Sequence, residues 1–118
     1  SDLAYAAGRT SLNSNPLNQM WSEAIFEIQH DGSGGGEVVW EWHLWDHLVQ
    51  DIGLSYGALY GTVSDHPELL DINYGTVGGN GGPGGANADW KHFNAIDYNE
   101  NLDQMYCKCG AQLKLSCI

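Results

Sequence analysis

Two residues at alternate positions, His92 and Asn94, form the pair best suited to chemistry in this 118-residue chain. On a strand, side chains two apart point to the same side about 7 Å apart, close enough to grip one anionic group. Lys91, by the same parity, points the other way. A structural role near a strand end is the competing reading of the pair. His43 and His47 stand four apart and could share a metal on a helix. The residue after His43 is Leu44, however, where zinc proteases need a glutamate, so that mechanism is excluded and packing or surface roles are favoured. Glu37, Glu41, Asp46 and Asp51 could supply acid and base, although solvation of a strand face explains such carboxylates equally well. The run Asp31-Gly-Ser-Gly-Gly-Gly-Glu37 lacks the ligand alternation of a calcium loop.

The elements that must position these residues follow from hydrophobic spacing. Ala24, Phe26 and Ile28 alternate with polar neighbours, and Val38, Trp40 and Trp42 alternate with Glu37, Val39 and Glu41. Two strands about the turn 30–36 therefore predict a β-hairpin. Leu44, Trp45, Leu48, Val49 and Ile52 have helical spacing and predict a short amphipathic helix. In Ser64–Leu70, Asp65 as N-cap with Pro67 and Glu68 behind it predicts a helix start. A strand is expected from about Lys91 to Tyr98, a turn over Asn99–Asp103, and a further strand near Gln104. Residues 1–20 read as loop because of Asn13, Asn15, Pro16 and Asn18. Seven glycines in residues 75–85 read as a mobile loop, with no lysine after them to make a phosphate cradle.

Composition narrows the partners. Fifteen acids against four bases give a net charge of −11, which disfavours nucleic acid and anionic membrane surfaces. No apolar run approaches the roughly 20 residues of a membrane-spanning helix. No targeting signal is visible, and the start at Ser1 leaves the compartment undetermined. All fifteen acids lie in residues 1–104, where Arg9 and Lys91 are the only bases. Cys107, Cys109, Cys117, Lys108 and Lys114 fall in the acid-free tail. That cysteine spacing matches no paired metal-binding cluster, so no shared role is assigned to the thiols.

Three segments together resemble the arylsulfotransferase (aryl-sulfate sulfotransferase) family. They are Glu37-Val-Val-Trp-Glu-Trp-His-Leu-Trp-Asp-His-Leu-Val-Gln-Asp51, His66-Pro-Glu-Leu-Leu-Asp-Ile-Asn73 and Asp89-Trp-Lys-His-Phe-Asn-Ala-Ile-Asp-Tyr-Asn99. Ala6-Ala-Gly-Arg9 and the strand Ile25-Phe-Glu-Ile28 also fit, and the resemblance spans about residues 4–104. It implies a mainly β fold, a fragment of a six-bladed β-propeller with long loops and short helices. It implies transfer of a sulfuryl group from a phenolic sulfate donor to a phenol acceptor through a sulfohistidine, with no nucleotide or other cofactor. That nucleophile belongs to a later blade, so none of the five histidines here takes its role. By resemblance, His92 and Asn94 hold the sulfuryl oxygens, and an extracytoplasmic location becomes possible. A non-catalytic propeller that binds or scaffolds is the alternative, and a self-contained acidic binding domain is a third.

The tail departs from the resemblance. The family's pocket Arg falls eighteen positions beyond the motif His, at Gly110, where this chain has none. Another reading frame of degenerate codons can spell Val-Leu-Gln-Val-Arg-Ser-Ser-Ile-Glu-Ile-Val-Leu-Tyr and would supply it. The expectation is therefore a propeller segment over residues 1–104 and an anomalous, frame-shifted tail over 105–118.

Overall fold

The computed structural model describes residues 2–11, 17–78, 87–109 and 113–117, and the chain is mainly β, built from several small sheets. Asn13, Asn15, Pro16, the glycine-rich residues 79–86 and position 110 lie outside the described residues.

The region expected to be loop at the start of the chain contains regular structure. Strand β1 (Asp2–Leu3) pairs antiparallel with β2 (Gln19–Met20), and the single turn of helix α1 (Ala4–Ala7) lies between them. Side-chain and backbone groups of Asn18 accept from Tyr5 and Ala4 N–H groups, so that asparagine ties the elements together instead of breaking them. The helix ends at Gly8 with φ +111°, a left-handed cap that glycine adopts without strain.

The hairpin read from alternation is present. Strand β3 (Ala24–His30) pairs with β4 (Gly36–His43), with a bulge in the register beside Glu27. In the turn, Asp31 Oδ1 accepts from Ser33 N–H, Ser33 Oγ–H and Gly35 N–H. The loop's own donors therefore occupy this carboxylate oxygen, and they hold the Asp31 pKa below its ordinary value.

The helix expected over Leu44–Ile52 is replaced by a 3-10 turn (Leu44–His47) followed by strand β5 (Leu48–Gln50). All three residues of β5 are buried, because it runs between β6 (Leu59–Tyr60) and β7 (Leu70–Asp71), parallel to both. A strand covered on both faces need not alternate, so its apolar run is indistinguishable in sequence from a buried helix turn. The helix start expected at Asp65 is likewise a short 3-10 turn (Val63–Asp65) with Thr62 at the N-cap position, and the chain then enters β7.

Strand β8 (Phe93–Asn99) begins two residues later than expected. It pairs antiparallel with β9 (Gln104–Cys109), which pairs in turn with β10 (Leu113–Cys117). The strand expected near Gln104 thus runs straight across the change in composition at residue 105, burying Cys107 and Cys109.

Two clusters form the core. Ala4, Met20, Leu44, Leu48, Ile72 and Trp90 belong to the first, which joins the N-terminal elements to the parallel sheet. The second joins the β3–β4 hairpin to the β8–β9–β10 sheet: Ile25 of β3 meets Cys107 of β9, with Trp40, Trp42, Phe93 and Met105 packed around them. Trp42 stacks on Phe93 at 6.4 Å between ring centroids and on His47 at 4.6 Å. The Trp42–Phe93 contact links β4 to β8.

Candidate functional site

The segment Asp89–Asn94 carries the motif residues at two backbone irregularities. His92 has φ +49°, in the left-handed region that few side chains other than Asn, Asp and His occupy readily. Asn94 is the extra residue of a β-bulge: Phe93 is opposite Cys109 and Ala95 opposite Lys108, so Asn94 has no counterpart on β9. Bulges redirect side chains, and here simple strand parity does not relate His92 to Asn94. His92 precedes the strand instead of lying within it, which corrects the alternation expected over Lys91–Tyr98.

The two side chains meet different surroundings. His92 is 69% exposed, and its Nδ1 lies 3.0 Å from Asp89 Oδ2. Nε2 is consequently the ring nitrogen available to a ligand. An imidazole donates from Nε2 only as the Nε2–H tautomer or as the imidazolium. Asn94 lines a cleft of about 350 Å³ with Ile25, Phe26, Ile96 and Cys107; His92 is not among its lining residues. The Asp89 partner escaped the sequence reading, although its position three residues before His92 was a usable signal.

Lys91, which like His92 precedes β8 so that strand parity does not govern it, reaches a specific target. Its Nζ donates to Tyr74 O at 2.9 Å and lies 4.4 Å from the Trp90 ring centroid and 4.6 Å from that of Tyr74. Trp90 Nε1–H donates to the same carbonyl. Arg9, also buried, donates from Nη1 to Ile72 O, from Nη2 to Gly75 O and from Nε to Ser11 O. Burial pushes the Arg9 pKa down, with Asp71 opposing. Burial also lowers that of Lys91 to about 8, partly offset by Cys109. Both cations of residues 1–104 are thus engaged with main-chain carbonyls of the turn 72–75.

The other candidates do not converge. His47 stacks on Trp42 with its Nδ1 2.8 Å from His43 O, while His43 Nε2 lies 3.2 Å from Glu41. Glu37, Glu41, Asp46 and Asp51 are all exposed to solvent. Among the described residues, no group of three or more His, Cys, Asp or Glu side chains is arranged to hold a metal ion. No helix there is long and apolar enough to cross a membrane.

Asn94, at the apolar cleft, and exposed His92, outside its lining, are side chains of the type that donate hydrogen bonds. Such donors suit an oxyanion whose charge spreads over several oxygens. Compared with protein-family models, with curated proteins and with solved structures, the chain matches none.

Proposed function

We propose that this chain is a segment of an arylsulfotransferase-like β-propeller whose parent moves a sulfuryl group from a phenolic sulfate ester to a phenol. The observation that carries the reading is the segment Asp89-Trp-Lys-His-Phe-Asn94, in which the two motif residues sit on irregular backbone while Trp90 and Lys91 anchor the preceding turn. Irregular backbone clusters at functional sites, which supports reading this segment as one.

In the proposed reaction, the ester S–O bond of the donor breaks as an S–N bond forms to a histidine outside this chain, and the phenolate departs. The acceptor oxygen then bonds to sulfur as the S–N bond breaks; the freed imidazole nitrogen takes back the electron pair and the acceptor's proton, which passes on to the released phenolate. His92 and Asn94 act on the sulfuryl oxygens, where negative charge accumulates during both transfers. No cofactor is needed for either step.

The test uses the longer gene product with 4-nitrophenyl sulfate as donor and phenol as acceptor. Transfer is expected, with His92→Ala lowering kcat/KM by about 10²–10³-fold, the usual cost of removing an oxyanion donor. An intact longer product without transfer would overturn the reading. Sequencing the encoding nucleic acid beyond codon 104 is the companion measurement. Continuation in a shifted frame should supply a pocket Arg and the nucleophilic His, whereas an intact frame ending at Ile118 would remove the frame-shift expectation. A non-catalytic binding propeller is the second reading, favoured by the burial of both Arg9 and Lys91 away from the motif histidine.

A further inference from the structure

The β3–β4 hairpin and the β8–β9–β10 sheet touch where Ile25 meets Cys107 and Trp42 stacks on Phe93. Residues of both sheets, with Asp103 just before β9, line a cleft of about 620 Å³, within the size range of small-molecule sites. It shares Ile25, Phe26 and Ile96 with the cleft lined by Asn94.

Its chemistry is sharply divided. Trp40, Ile96 and Met105 supply an apolar wall, and Glu27 and Asp103 supply two carboxylates. Among the described residues, no cationic side chain lines it. Tyr98 Oη–H donates to Asp103 Oδ1 at 2.7 Å, which orients that carboxylate and leaves Oδ2 for a further donor. Asp103 itself adopts φ +49°, a left-handed conformation for the residue that opens β9. Two acids beside aromatic rings attract a cation through both charge and ring quadrupole.

We propose that this cleft binds a small arylalkylammonium ligand. The apolar body packs on Trp40 and Ile96, and the ammonium group donates to Glu27 and Asp103. An anionic ligand would face two like charges there, with no compensating cation among the described lining residues. The proposal does not depend on sulfuryl transfer, since binding alone is its readout.

The test titrates the 118-residue chain with 2-phenylethylammonium, with its near-isosteric neutral counterpart 2-phenylethanol and with anionic phenylacetate. Side-chain NMR shifts of Trp40 and Ile96 follow the binding. The ammonium ligand should saturate and bind at least roughly tenfold more tightly than the alcohol, with phenylacetate weakest. About 0.5 M salt should reduce that preference by screening. Glu27→Gln and Asp103→Asn should each weaken ammonium binding about threefold, and the pair should erase its advantage over the alcohol. Both residues are exposed, and asparagine tolerates the left-handed backbone at 103, so the variants keep the fold. Equal affinity for the ammonium and the alcohol overturns the proposal, even before any variant is made. So does a failure to saturate, a set of shifts away from Trp40 and Ile96, or shifts that track self-association of the chain.

Discussion

Arg9 and Lys91, 82 positions apart, grip one turn: Arg9 donates to the carbonyls of Ile72 and Gly75, and Lys91 to that of Tyr74 between them. An acidic chain has placed both bases of its first 104 residues where main-chain oxygens, rather than carboxylates, are their nearest partners. The two differ in what they leave behind when removed. Arg9→Met strands the carbonyls of Ile72 and Gly75 and should cost about 3 kcal/mol in urea unfolding. Lys91→Met keeps the apolar stem, removes a poorly solvated charge and leaves Tyr74 O bonded to Trp90, so it should change stability by less than about 1 kcal/mol. Equal costs would show that the turn is not held as described.

The same burial makes stability depend on alkaline pH in opposing ways. Burial lowers Lys91 to about 8 from 10.5, so between those values the unfolded chain binds the extra proton and stability rises with pH. Burial raises Cys109 to about 11 from 9.0, so between those values the folded chain keeps the extra proton and stability falls with pH. The expected profile rises from about pH 8 to 9, stays level to about 10.5 and then declines. The Asp103 hydrogen bond raises the Tyr98 pKa above 10.0, which steepens the final decline. Urea midpoints measured across this range check the shape, and Cys109→Ser should extend the rise by removing its opponent.

Gln50 is fully buried at the centre of the parallel sheet and satisfies four backbone groups. Its amide donates to Gly53 O and Ala58 O and accepts from Ile52 N–H and Gly53 N–H. Gln50→Leu fits the volume but abandons these partners, and should cost about 3 kcal/mol by chemical denaturation.

Gly8 packs against the same glutamine: an added Cβ would lie 2.9 Å from Gln50 Cγ on a backbone with φ +111°. Gly8→Ala should therefore cost about 2 kcal/mol, read as a shift in urea midpoint. Combined with Gln50→Leu, it should not add fully, since the two changes share one contact.

If His92 grips sulfuryl oxygens, Asp89 acts through it as a positioning residue. Asp89→Asn should lower kcat/KM of the longer product by about tenfold, less than His92→Ala, while leaving the fold intact. A kcat/KM–pH profile would separate this from a structural effect, because the carboxamide cannot hold the imidazole by charge. An unchanged profile would assign Asp89 no part in the chemistry.

Periodicity carried some of this architecture by itself. The β3–β4 hairpin was legible because its two strands alternate over adjacent stretches and the glycine turn between them is local. The strand near Gln104 was legible for a similar reason, being one turn away from β8. His92 and Asn94 could be picked out as a candidate pair from residue type and spacing alone. Composition also set the charge and the shortage of cations, which are sums over residues and need no geometry.

Tertiary structure decided the remainder. Leu48–Gln50 became a strand because β6 and β7 cover it from both sides, and no local pattern encodes partners that arrive later in the chain. The split between His92 and Asn94 arose from a left-handed residue and a bulge, which break the two-residue period on which the pairing argument rested. The burial of Arg9 and Lys91 depended on a turn lying far from Arg9 in sequence. The acidic, aromatic cleft is lined from β3, β4, β8 and β9 together, a relation between surfaces that each strand's sequence contains only in part.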